Sequence, residues 1–354
     1  MAGSVYVLGA GFGHGYNNTW FPLVRNFLAL ANANYFYLPY DQHRQLGHVI
    51  AKYFNDPVYP DIEKVLSFLS ASPLYHRTIA YEHRSLAYEE LIELIILSLS
   101  KASTEPALST DVKNAYDRFA EHIVDTKSTV ITFNYDLLIE TLLRNSKGWH
   151  PYHGYGVHLP LVYDAMPTSP HTFLDQKIIE DEDMTWDEVT VLKLHGSINW
   201  GIPTIAADKS EEIFQLPIKG GVSMADFALK TNFGPPFTMY FKPVIVPPVL
   251  DKSSWLQNRS IRVIWNMAME SIAEASQITF IGYSLPTTDF LAEFMFRQGL
   301  SLITAERKIT VVDPCMTPEL RKRYVDVLGS FGLNFLSFKE CDVVGYVNDV
   351  LASN

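Results

Sequence analysis

The chain has 354 residues, 47% hydrophobic and 19% charged, which is enough apolar material for one large or two ordinary domains and excludes a disordered chain. Lysine and arginine total 28 against 39 acidic residues, and the net charge of -11 excludes a bulk electrostatic grip on nucleic acid. The two cysteines, Cys315 and Cys341, cannot build a four-cysteine zinc site or a disulfide framework, and read as buried or partly buried free thiols in a reducing cytosol.

Ser4 to Leu8 is an apolar, β-branched run that breaks into Gly9-Ala10-Gly11-Phe12-Gly13. No basic segment precedes it, so no signal peptide is expected. A helical pattern follows from Trp20 to Ala33, with Phe21, Val24, Phe27, Leu28 and Ala31 on one side. Asp61 to Ile123 reads as mostly helical. Asp61 caps a helix carrying Ile62, Val65, Leu66 and Leu69, and its acidic start, Asp61 and Glu63, fits a helix N-terminus better than a paired acid and base. Tyr88 to Leu99 is apolar around most of its circumference, as in a buried helix, and Asp111 to Val124 is a further helix. The most apolar stretch, Leu91 to Leu99, is broken by Glu93 and is shorter than the roughly twenty residues a membrane span takes. A soluble, cytoplasmic protein without membrane contact is expected.

Four more apolar runs end in polar turns: Thr129 to Phe133 in Asn134-Tyr135-Asp136, Thr190 to Leu194 in His195-Gly196-Ser197, Ile278 to Ile281 in Gly282-Tyr283-Ser284, and Lys308 to Val312 in Asp313-Pro314. Leu137, Leu138, Leu142 and Leu143 are spaced for a helix stopped by Asn145 to Gly148. Helices are also expected over Ser260 to Ala275 and from Asp289 to Gly299. The segments 149–187 and 202–240 read as irregular insertions, and Val244-Ile245-Val246 is an apolar run closed by prolines.

The expected fold is α/β: a Rossmann-like parallel sheet flanked by helices, with a helical insertion layer and no zinc module. One domain spans 1–354, with its core in 1–33, 125–148, 188–201 and 241–354 and the helical insertion in 34–124. Open parallel sheets bind ligands outside the carboxyl ends of their strands, where these turns fall. Glycines in the first turn suit close approach of a pyrophosphate and equally suit a tight turn. Asp136 fits a helix cap, which explains Asn134 less well. His195 stands beside these strand ends, and structural and catalytic readings of it both remain. His150, His153, His158 and His171 lack metal-ligand spacing and fit a solvated loop. Arg321 to Arg323 reads as a short solvated charge run.

Together the turns resemble the sirtuin superfamily, and within it the sirtuin-like NAD hydrolases of bacterial antiviral defence. The matches are Gly9-Ala10-Gly11, Thr132-Phe133-Asn134-Tyr135-Asp136, His195-Gly196, Gly282-Tyr283-Ser284 and Asp313, in the family's order. Two departures stand out. The zinc module is missing, and Gly13, His14 and Gly15 follow where the family's turn continues toward a serine and an arginine; with no obvious acyl-lysine channel, they argue against protein deacylation.

The resemblance implies NAD as substrate, with Asn134 and His195 catalytic. It places Gly9, Ala10, Gly11, Phe12, Thr132, Asp136, Gly282, Ser284 and Asp313 around the dinucleotide. Asn134 would orient water and ribose hydroxyls, His195 would act as base, Asp136 would read the carboxamide, and Asp313 would hold the adenosine ribose. Alternatives are ADP-ribosyl transfer or cyclisation, a non-catalytic NAD or ADP-ribose sensor, and, less favoured, a deacylase. An uncontrolled NAD hydrolase would kill its host. A homo-oligomer is therefore expected, or a separate activator, which the resemblance implies to be a hexameric ATPase or an Argonaute-like protein. The exposed layer 61–124 is the candidate contact surface.

Overall fold

A computed structural model describes residues 3–34, 44–54, 60–70, 80–151, 153–160, 189–203, 212–216, 228–231, 237–247, 257–302, 307–329 and 336–351. In chain order its strands are β1 (Ser4–Leu8), β2 (Thr129–Thr132), β3 (Val191–Lys193), β4 (Gly196–Pro203), β5 (Phe214–Gln215), β6 (Ala228–Thr231), β7 (Phe237–Ile245), β8 (Gln277–Ile281), β9 (Lys308–Val312) and β10 (Leu336–Lys339). The helices are α1 (Ala10–Tyr16), α2 (Phe27–Asn34), α3 (Arg44–Tyr53), α4 (Ile62–Ser70), α5 (Ala80–Thr104), α6 (Thr110–Asp125), α7 (Leu138–Asn145), α8 (Arg259–Glu274), α9 (Phe290–Ser301), α10 (Pro318–Leu328) and α11 (Val343–Tyr346).

Six strands form one sheet in the order β10-β9-β8-β1-β2-β3, and every pairing in it is parallel. Counted in chain order the six run 3-2-1-4-5-6, the doubly wound Rossmann arrangement, so the α/β expectation holds. The strand order reverses between β1 and β8, which places a ligand crevice over their carboxyl ends. The central strands read as unbroken apolar runs because helices cover both faces: Val5, Val7, Leu8, Val130, Ile131, Phe280 and Val311 are all buried.

A second, antiparallel sheet has the order β5-β4-β7-β6. It draws on the segment 202–240, whose sequence reads as irregular. Strands as short as Phe214–Gln215 carry too few residues for a period-two pattern to register. The chain passes from β3 into this sheet through Leu194 and His195. It turns at Gly196, whose φ of +79° and closeness to the Val244 carbonyl exclude a side chain.

Two hydrophobic cores result. The larger holds the parallel sheet with α6 to α11, including Tyr116, Phe119 and Ile123 of α6. The smaller gathers Phe27, Leu28, Leu46, Val65, Leu66, Leu91 and Ile95 from α2 to α5 with Ile198, Phe214, Phe241 and Ile245 of the antiparallel sheet. The stretch read as a helical insertion thus divides: α3 to α5 pack with the second sheet, and α6 packs on the first.

Three local expectations change. The Gly9-Ala10-Gly11 turn is the start of a helix: the chain enters α1 directly at Ala10, with Gly9 as its N-cap. The helix expected from Trp20 starts instead with a 3-10 turn at Val24–Asn26 that leads into α2, because Pro22 offers no amide hydrogen to a helix running through it. Cys315 is exposed rather than buried. His171 lies outside the described residues. Among those residues no helix is long and apolar enough to cross a membrane.

Candidate active site

The carboxyl ends of the parallel strands open into a cleft of about 730 Å³ between the two cores. Its floor runs in sheet order from His195 after β3, through Asn134 after β2 and Gly9 to Gly11 after β1, to Gly282 to Ser284 after β8 and Asp313 after β9. At about 4.8 Å per strand, the four steps from β3 to β9 span about 19 Å, the reach of an extended dinucleotide. Ile62, Glu63, Leu66, Ile95 and Leu99 of the second core form the facing wall.

The glycines at the switch point let two backbone turns interlock. Gly9 N–H donates to the Ile281 carbonyl at 3.1 Å and Gly11 N–H to the Gly282 carbonyl at 2.9 Å. A Cβ on Gly9 would stand 2.5 Å from the Gly282 oxygen, and one on Gly282 would stand 2.5 Å from the Gly11 carbonyl carbon. Gly282 also has φ +58°, a region where a side chain strains the backbone. This close approach fixes the floor whether or not a phosphate sits on it.

Asn134 follows the last residues of β2. Its backbone N–H donates to Thr132 Oγ1 at 3.1 Å, and its side-chain amide donates to the Gly9 carbonyl at 3.0 Å, tying the β2 turn to the glycine turn. Asp136 accepts from Leu138 N–H at 3.0 Å; the N-cap of α7 is Leu137, which makes no side-chain cap, so Asp136 braces the helix start from one residue earlier rather than capping it. Burial raises its carboxyl above the ordinary range, and the charge of Lys193 opposes that shift. Lys193 is fully buried, pairs with Glu140 at 2.8 Å and donates to the Asp136 carbonyl.

His195 is clamped by its backbone surroundings. Leu194 N–H donates to the Thr132 carbonyl, Val246 N–H to the His195 carbonyl, and the Trp265 indole N–H to the Leu194 carbonyl at 2.9 Å. Its ring lies edge-on to Phe133, 5.1 Å between centroids, and Phe133 stacks on Tyr283 at 4.4 Å. Nε2 of His195 sits 2.9 Å from Oδ2 of Asp289, whose side chain is 1% exposed. The other oxygen of Asp289 caps α9 by accepting from Ala292 N–H. One carboxylate therefore starts a helix and holds the imidazole. In the sequence Asp289 reads only as a helix start, and no spacing signal links it to His195.

Glu63, which in the sequence reads only as a helix-start charge, also belongs to the site. It is buried in the cleft wall, and its carboxylate accepts from the Thr288 hydroxyl at 2.7 Å, one residue before Asp289. Burial pushes the Tyr135 hydroxyl well above its ordinary range, and the nearby charges of Tyr88, Glu63 and Asp289 add to that. Tyr135 and Tyr283 line the cleft; the Tyr283 hydroxyl is buried without a hydrogen-bond partner among the described residues.

Of the residues expected around a dinucleotide, Gly9, Ala10, Gly11, Asn134, Asp136, His195, Gly282, Ser284 and Asp313 all line the one cleft. Phe12 and Thr132 do not. Phe12 is 1% exposed and packs on Tyr116 and Phe119. Thr132 is wholly buried and donates to the Leu8 carbonyl, so it braces the floor from beneath. Among the described residues no group of three or more His, Cys, Asp or Glu side chains could hold a metal ion.

Fold and cleft define a Rossmann-like α/β protein with a dinucleotide-length site. No protein-family model and no curated protein matches the chain. Solved structures similar to it include a Sir2 homolog in complex with NAD, at 13% identity and a TM-score of 0.49 over 99% of this chain and 88% of that one. Another is Sir2 bound to an acetylated peptide, at 13% identity and 0.44 over 99% and 92%. A third is a Sir2 homologue mutant with ADP-ribose, at 15% identity and 0.42 over 99% and 94%.

Proposed function

We propose that the chain is an NAD+ glycohydrolase, cleaving the bond between nicotinamide and ribose to give nicotinamide and ADP-ribose. The observation that carries this reading is the buried His195–Asp289 pair at one end of a cleft long enough for a dinucleotide, with Asn134 beside it. The pyridinium of NAD is already a good leaving group, and its departure passes through an oxocarbenium-like state. The chain has three tasks: to hold the ribose, to shut out bulk water and to place one water on the open face. Asn134 orients that water and the ribose hydroxyls. The Asp289 carboxylate favours the imidazole proton on Nε2, which makes Nδ1 the nitrogen that accepts one. As the carbon–nitrogen bond breaks, its electron pair leaves with nicotinamide. The water oxygen bonds to the ribose carbon, and His195 takes the proton.

Asp136 reads the carboxamide, Gly9, Ala10 and Gly11 the pyrophosphate, Ser284 that same pocket, and Asp313 the adenosine ribose. From the motif resemblance alone we extend the reading to an NAD-depleting effector of antiviral defence, acting in the cytoplasm. Its control comes from assembly into a homo-oligomer or from a separate activator.

The test is to incubate the purified chain with NAD and resolve the products by chromatography, with His195→Ala and Asn134→Ala alongside. Nicotinamide and ADP-ribose from the wild type alone support the reading. A cyclic product or a modified protein indicates transfer, and NAD binding that survives His195→Ala without turnover indicates a sensor. Consumption that requires an acylated peptide indicates a deacylase.

A further inference from the structure

The basic run Arg321-Lys322-Arg323 does not behave as one solvated strip. Arg321 lies over the Phe338 ring at 5.0 Å and approaches Glu340 at 3.7 Å. Lys322 pairs with Asp326 one helical turn on, at 2.6 Å. Arg323 turns the other way, into the cleft, where it lines the β9 end with Asp313, Cys315, Thr317 and Leu320. Its Nε is buried and has no hydrogen-bond partner, and among the described residues its guanidinium joins no ion pair. A guanidinium cannot shed its charge, so a partly buried one without an anion is a standing cost unless a ligand supplies the anion.

The position of Arg323 narrows the choice of anion. A pyrophosphate belongs at the switch point, over the interlocked glycine turns one strand away. The β9 end instead presents Asp313, whose carboxylate accepts from Cys315 N–H at 2.8 Å, with Val312, Pro314, Leu320 and Val343 as apolar walls fit for a base. In dinucleotide folds an acidic residue takes the free ribose hydroxyls, and a nearby arginine accommodates a phosphate on the 2′ oxygen. Here both are present. Burial raises the proton affinity of the Tyr324 hydroxyl, the charge of Asp313 adds to that and the charge of Arg323 opposes it, so both charges lie near Tyr324. That hydroxyl donates to the Tyr283 carbonyl at 2.6 Å, which anchors α10 to the cleft floor.

We infer that Arg323 forms an anion subsite for a phosphate on the 2′ oxygen of the adenosine ribose, so that the cleft takes 2′-phosphorylated dinucleotides as well as NAD. The inference rests on the dinucleotide reading of the cleft but not on hydrolysis.

Calorimetric titration of the full chain with adenosine 2′,5′-bisphosphate and with 5′-AMP tests it. A charge-assisted bidentate contact predicts that the bisphosphate binds about tenfold or more tightly than 5′-AMP. In Arg323→Gln that ratio falls close to one, and Arg323→Lys keeps part of it as a point charge. Both ligands are read on the same protein, so a general loss of fold cannot imitate a changed ratio. Equal binding of the two ligands to the wild type, or a ratio unaltered in Arg323→Gln, overturns the inference. Binding of neither overturns it together with the nucleotide reading. If the wild type cleaves NAD yet shows no preference, only the subsite fails. If the preference holds without cleavage, only the hydrolase reading fails.

Discussion

Replacing Asp289 with asparagine separates its two roles. The side chain caps α9 through one oxygen and meets His195 Nε2 at 2.9 Å through the other. Asparagine is as good a cap as aspartate, so the helix start survives, with an expected stability change within about 1 kcal/mol. The charge does not survive. At 2.9 Å and an effective dielectric of about 20, Asp289 offers the imidazolium formed during proton transfer about 6 kcal/mol of attraction. Desolvation cancels part of this, and breaking a buried pair typically costs about 3–5 kcal/mol. If that loss falls on the transition state alone, kcat drops about 10²- to 10⁴-fold, with a smaller change in KM. Rates of NAD loss under saturating substrate, with thermal unfolding beside them, give the answer. Turnover within about threefold of wild type at an unchanged Tm refutes the assignment of His195 and Asp289 as a working pair.

Three further outcomes follow from the packing. Gly282→Ala places a Cβ 2.5 Å from backbone at φ +58°, and is expected to cost about 2 kcal/mol or more in a urea titration; a change under about 0.5 kcal/mol contradicts the interlocked turns. Lys193→Met leaves the buried Glu140 carboxylate without a counter-charge, with only the Tyr155 hydroxyl donating to it, and an expected loss of about 3–5 kcal/mol, whereas the double variant Lys193→Met, Glu140→Leu loses less than the single one. Burial raises the Asp313 carboxyl above 3.8, so the ionised form is the costly one in the fold. That cost is complete above the folded-state pKa and absent below the unfolded-state value. Asp313→Asn therefore raises Tm at neutral pH, and the gain vanishes as pH falls toward 3.8; a gain independent of pH contradicts this.

The parallel sheet was legible because strands covered on both faces are written as continuous apolar runs, and each ends at a residue type that cannot continue them. The run from Ser4 to Gly9 and the run from Ile278 to Gly282 are cases in point. The antiparallel sheet was not, because β5 is two residues long and β4 is bent by an irregular register between Gly196 and Gly201. Asn134 and His195 could be picked out as polar residues at strand ends. Their supports could not. Asp289 looks like any helix cap and Glu63 like any helix-start charge. What joins them to the site is the packing of α9 and α4 around His195 and Thr288, a long-range fact with no local pattern. Arg323 was hidden differently: within a run of three basic residues, only the direction each side chain takes from α10 separates solvated charges from one turned inward.

The most direct measurement is the fate of NAD and of water oxygen together. The purified chain is incubated with NAD in ¹⁸O-enriched water and the products are resolved by mass spectrometry, with His195→Ala beside it. Hydrolysis in this cleft predicts nicotinamide and ADP-ribose bearing one ¹⁸O at the former glycosidic carbon, from the wild type and not from the variant. NAD left intact by the wild type, unlabelled or cyclic product, or equal cleavage by His195→Ala contradicts it.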